Sequence, residues 1–115
     1  MAWPYVSATA TITSGQSLSG AVGLGGRLLG ALIMPSGWTT AVLTFQASDD
    51  GSTFRNVYDE FGNEYTVQAA VDCHILIDPA KFSGCDSIKI RSGTSGAAVN
   101  QGADRSIKVQ MRDIS

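Results

Sequence analysis

His74 is the chain's single histidine and Cys73 stands directly beside it, so any imidazole-based chemistry has to start from this pair. Neighbouring residues of a strand point to opposite faces, which keeps the two from sharing a metal or acting as a Cys-His nucleophile pair; a surface or rim histidine is the expected role. Cys73 and Cys85 lack the C-x-x-C spacing of a zinc site, and a reducing cytosol disfavours a lasting bridge between them. The run Gly15-Gln16-Ser17-Leu18-Ser19 misses the nucleophile-elbow pattern at its last position, and no run matches a phosphate loop or a dinucleotide fingerprint. Asp49 and Asp50, next to Gly51, could join Asp59 and Glu60 in holding calcium, but the spacing is not that of an EF-hand, and hairpin turns select these same residues. The same objection meets a carboxylate pair for sugar hydrolysis. The expectation is a non-enzymatic protein with no catalytic residue, metal or cofactor.

Binding chemistry is easier to place. Trp3, Pro4 and Tyr5 form an aromatic arm ahead of the first strand, where a small domain has little surface of its own to cover an indole. This arm is the candidate partner contact. Trp38 follows the turn Pro35-Ser36-Gly37 and precedes a strand, a position suited to capping the core. Under an alternative reading, a carbohydrate-binding module, which the resemblance given below would place on a tail or fibre, Trp38, Tyr58 and Asp49 would meet a sugar near one end of the fold.

These residues need a scaffold, and composition selects its kind. Only 16% of the 115 residues are charged and 13 are glycine, with serine and threonine abundant, which disfavours helix and suits short strands joined by turns. The net charge of −2 lacks the lysine and arginine surplus that neutralises phosphates, so no direct nucleic-acid partner is expected. The longest apolar stretch, 28–35, is too short to cross a bilayer, and no basic opening with an apolar core marks a secretory leader, so no membrane partner is expected and synthesis is placed in the cytoplasm.

Hydrophobic alternation then divides the chain. Val6, Ala8, Ala10 and Ile12 share one face of a first strand, with Tyr5, Ser7, Thr9 and Thr11 opposite. Residues 18–24 suit a strand or an irregular crossing. Residues 27–34 are nearly continuous in apolar residues, as in a strand buried on both sides, although Leu28-Leu29 with Leu32-Ile33 also satisfies a short helix; Gly30 and Pro35 favour the strand. A strand over 40–48 reverses at Asp49 to Thr53 into 54–58, a second reversal at 60–63 leads to 65–67, and 73–77 alternates with Cys73, Ile75 and Ile77 on one face. Asp78 caps one helical turn with Pro79 in its first position. Strands at 87–92 and 105–112 point Ile88, Ile90, Ile107, Val109 and Met111 inward and polar residues outward, and 93–103 is expected to be an exposed, flexible loop. Seven or eight strands and at most one helical turn predict an all-β, antiparallel β-sandwich, jelly-roll-like, spanning 1–115 as one domain behind its short arm.

The small-residue first strand, the run Leu43-Thr44-Phe45-Gln46-Ala47-Ser48-Asp49-Asp50-Gly51-Ser52-Thr53-Phe54, the stretch Ile77-Asp78-Pro79-Ala80-Lys81-Phe82-Ser83-Gly84 and Ile88-Lys89-Ile90-Arg91-Ser92-Gly93-Thr94 together resemble the small β-sandwich virion proteins of tailed bacteriophages. The resemblance implies a capsid decoration (cement) or tail accessory protein located in the virion. Its partners would be the major capsid protein or other virion proteins, and it would act as a homo-oligomer, with a trimer favoured.

Overall fold

The computed structural model describes residues 5–113, so Trp3 and Pro4 lie outside the described residues. Eight strands follow one another: β1 (Tyr5–Ile12), β2 (Val22–Gly23), β3 (Leu28–Ile33), β4 (Leu43–Ser48), β5 (Arg55–Asn56), β6 (His74–Leu76), β7 (Ser87–Ser92) and β8 (Arg105–Arg112). They form two four-stranded sheets, ordered β1-β8-β3-β6 and β2-β7-β4-β5, with every pairing antiparallel. The pairs β1–β8, β2–β7, β3–β6 and β4–β5 are nested, so the first strand lies beside the last.

One apolar core fills the space between the sheets. The first sheet contributes Ala10, Ile12, Leu29, Leu32, Ile107, Val109 and Met111, and the second contributes Leu43, Phe45, Ile88 and Ile90. The period-two pattern of β1 and β8 appears directly as alternating burial, because each strand presents one face to the core and one to solvent. In β3 the pattern breaks in the middle. A bulge at Gly30 shifts the register between Leu29 and Ala31, so Leu29, Leu32 and Met34 all reach the core while Ala31 turns to the opposite face. That bulge produces the three-residue apolar spacing that also fits a helix.

The single helical turn is a 3-10 helix, Pro79–Phe82, whose first free amide, on Ala80, donates to the Asp78 side chain at 3.1 Å. It delivers Phe82 to the core, where its ring meets Phe45 edge-on at 5.1 Å and Tyr65 at 5.6 Å.

Several segments differ from the expectations. Residues 18–24 pair only briefly with β7, since the Ser19 hydroxyl takes the Ile90 amide at 2.9 Å in place of a ladder carbonyl. Within 54–58 only Arg55 and Asn56 are regular strand, and 65–67 contributes a single bridge, from Val67 to Leu43. The 93–103 segment is pinned rather than loose. Gly93, with φ +88, bends it back so that Ala98 bridges to Gly93, and Gln101 is 1% exposed. The Gln101 amide donates to Ser92 Oγ at 2.7 Å and the Thr39 carbonyl at 3.0 Å, and accepts from the Thr39 amide at 2.8 Å and Arg105 Nε at 3.1 Å. Nor do the outward residues of β4 and β7 all face water. Thr44 and Arg91 are buried beneath residues 56–64 and 94–95, with Arg91 reaching Asn56 Oδ1 at 2.6 Å and Glu64 Oε2 at 3.3 Å. Cys73 and Cys85 are both free thiols.

Asp50 shapes the turn after β4. Its Oδ1 accepts from the Thr53 and Ser52 amides, each at 2.9 Å, and from Ser48 Oγ at 2.9 Å, which together hold the carboxyl well below the ordinary carboxylate range. An unfolded aspartate takes up its proton near pH ~3.9, while the folded one stays charged, so acid below that point favours unfolding. The stabilisation is complete above pH ~4 and is lost as the pH falls. Thermal melts across the acid range should show Asp50→Ala losing less stability on acidification than the parent; an identical slope would remove Asp50 from this role.

Candidate docking surface

The outer faces of the two sheets differ. That of the second is covered by the loops around Arg91, whereas that of the first carries a groove of about 500 Å³. Its lining follows from strand parity: Tyr5 from β1, Leu28, Gly30 and Ala31 from β3, and Leu76 from β6 all point away from the core, with Pro79 at one margin. Because β3 is apolar on both faces, the floor stays apolar; Ala31 is buried within it. Tyr5 and Leu76 flank it, 63% and 80% exposed. His74 also lines the groove and is exposed, as expected for a rim histidine.

Tyr5 is oriented by its cross-strand neighbour. Arg112 lies directly opposite, its guanidinium 4.4 Å from the ring centroid, and it donates to the Tyr5 hydroxyl. The charges among the outward strand residues of this sheet are Lys108 and Arg112, both positive. The face therefore offers an apolar floor with a basic margin, suited to an apolar partner surface bearing carboxylates.

A second, polar cleft of about 350 Å³ lies between Tyr58, Asp59, Glu60, Tyr65, Asp78 and Lys81. Asp59 is tied to its own turn, accepting from the Asn63 amide at 3.0 Å and the Phe61 amide at 2.9 Å, which lowers its pKa. Tyr58 borders this cleft, but Trp38 and Asp49 do not. They flank β4 at opposite ends, separated by a six-residue strand that spans roughly 20 Å. The Trp38 indole packs against the core and donates to the Ala41 carbonyl at 3.1 Å, the capping position its sequence context suggests. Trp38, Tyr58 and Asp49 are thus not gathered around one sugar-sized site.

Of the aromatic arm, the described member, Tyr5, forms one wall of the groove. The remainder of the groove escaped sequence reading. Its signal was Leu76, a large apolar residue on the wet face of a strand whose other face already holds Cys73, Ile75 and Ile77.

No family model matches this sequence, and no curated protein matches it. The fold does have a counterpart among solved structures, the crystal structure of SPBc2 prophage-derived protein YomS, with a TM-score of 0.58 and 96% of each chain covered. The likeness is one of fold. At 11% identity the two share an architecture along nearly their whole length. Among the described residues, no helix is long and apolar enough to cross a membrane.

Proposed function

We propose that this chain is a non-enzymatic structural protein of a bacteriophage virion, a capsid decoration protein that seats the groove-bearing face of its first sheet on the assembled shell. The observation that carries the reading is asymmetric coverage: one outer face is closed by its own loops, while the other leaves Tyr5 and Leu76 standing over an apolar floor. Exposed apolar patches rimmed by polar residues mark interaction sites. Two further points support it. A prophage-derived protein shares the fold, and the nested strand order of the two sheets is compatible with a jelly roll, an architecture common in viral capsids. Tyr5 stands at the groove wall, and the reading keeps Trp3, Pro4 and Tyr5 as partner contacts on the strength of the sequence, with the major capsid protein or another virion protein as the partner.

Cosedimentation with assembled shells tests the reading. Leu76→Asp removes apolar burial of about 1.5–3 kcal/mol and places a carboxylate in the contact, so occupancy should fall by at least about tenfold. Because Leu76 is 80% exposed, the variant keeps its fold, and an unchanged circular dichroism spectrum verifies this. Undiminished occupancy would remove the groove from the proposal.

A further inference from the structure

The two sheets end in four edge strands, and three of these are short: β2 and β5 have two residues each and β6 has three. The fourth, β1, has eight. Its pairing with β8 runs unbroken from Tyr5 to Ile12, and among the described residues no strand of its own chain lies on its other side. Proteins usually block such an edge with a lysine, a proline, a bulge or a very short strand, and Tyr-Val-Ser-Ala-Thr-Ala-Thr-Ile has none of these.

We infer that two copies of this chain pair antiparallel through β1, joining their first sheets into one eight-stranded sheet across a two-fold axis. The occupant follows from what the chain can offer. Every other long strand, β3, β4, β7 and β8, already has a neighbour on each side, so the free edge of β1 can be matched at equal length only by β1 of another copy. Self-pairing meets no charge conflict, because β1 contains no ionisable acid or base apart from its tyrosine. A register centred on Ala8 sets Val6 opposite Ala10, Ser7 opposite Thr9 and Tyr5 opposite Thr11, keeping core-facing residues together and outward residues together.

Burial along β1 points the same way. On its core-facing side Ala10 and Ile12 are buried, but Val6 and Ala8 are only half-covered, and a second copy would complete that cover. The adjoining edge of the second sheet is smooth. Gly20 and Gly23 are exposed, have ordinary negative φ, and a Cβ at either would touch nothing, so this chain alone does not require glycine there. An edge roughly 26 Å long on a molecule 25 Å in its smallest dimension offers room for up to roughly 650 Å² per copy, within the lower part of the range for stable interfaces of about 600–1,000 Å² per partner. This two-fold pair replaces the trimer that the family resemblance implies, and it does not depend on the docking role.

Native mass measurement on the full chain decides it. The parent protein should show twice the single-chain mass. Ser7→Lys combined with Thr9→Lys sets like charges opposite each other in the register centred on Ala8 and in the face-matched registers centred on Ser7 or Thr9, and should give a single-chain mass with an unchanged circular dichroism spectrum. Mixing that variant with Ser7→Glu combined with Thr9→Glu should restore the two-chain mass. A parent that stays single up to millimolar concentration, a three-chain mass, or a two-chain mass that survives the lysine pair would overturn the inference.

Discussion

Phe45→Ala is expected to destabilise the protein by about 4 kcal/mol, the middle of the range for removing a fully buried phenylalanine. Phe45 is 0% exposed at the centre of β4, between the rings of Phe82, at 5.1 Å, and Tyr65, at 5.7 Å. Both neighbours come from outside the regular strands, one from the 3-10 turn and one from the 57–67 segment, so their placement depends on the ring they pack against. Truncation removes apolar contact and also leaves a cavity that β4, hydrogen-bonded to β7 on one side and β5 on the other, cannot readily collapse into. Denaturant titration checks the figure. Phe45→Leu, which keeps most of the volume, should cost clearly less, and a loss below about 2 kcal/mol for the alanine variant would mean that the three rings do not act as one packed unit.

The second large effect is polar. Arg91→Met should cost about 3 kcal/mol, because it breaks an ion pair that the surrounding loops largely cover. Arg91 is 7% exposed and spreads its guanidinium over Asn56, Glu64 and Thr44, while Thr44 Oγ1 in turn donates to the Gly93 carbonyl at 2.6 Å. Glu64 extends the network, accepting from the Ser95 amide at 3.2 Å. One side chain therefore holds two loops over the second sheet. Without it the Glu64 carboxylate is left covered and unpaired, and a lysine cannot reproduce the planar fork. Adding Glu64→Gln to Arg91→Met should recover part of the loss. A double variant no better than the single one would show that the cost lies in packing and not in the stranded charge.

The contrast between these two sites explains what the sequence could reveal. Wherever burial follows alternation, as in β1, β8 and around Ile88 and Ile90, side-chain type alone locates the core, and Asp78-Pro79 marks its turn by capping chemistry. Arg91 and Gln101 look like surface residues because hydrophobic pattern registers polarity, whereas their burial depends on partners distant in the chain. Residues 27–34 read ambiguously for a different reason: a bulge at Gly30 changes which residues share a face, and no apolar pattern marks an inserted residue. In the candidate site, Tyr5 was legible as an exposed aromatic at the start of the first strand. Leu28, Ala31 and Leu76 were not, because their grouping exists only once β3 lies between β8 and β6.

The pairing of Tyr5 with Arg112 also has a consequence for biosynthesis. Tyr5 can meet its permanent neighbour only after residue 112 has cleared the ribosome, so β1 has no partner strand while the residues between it and β8 are made. At ~5–20 residues per second, the emerging β1 waits for several seconds with its uncharged backbone edges open. Crowded polysomes, where nascent copies lie close together, are therefore where mispairing of this chain should begin.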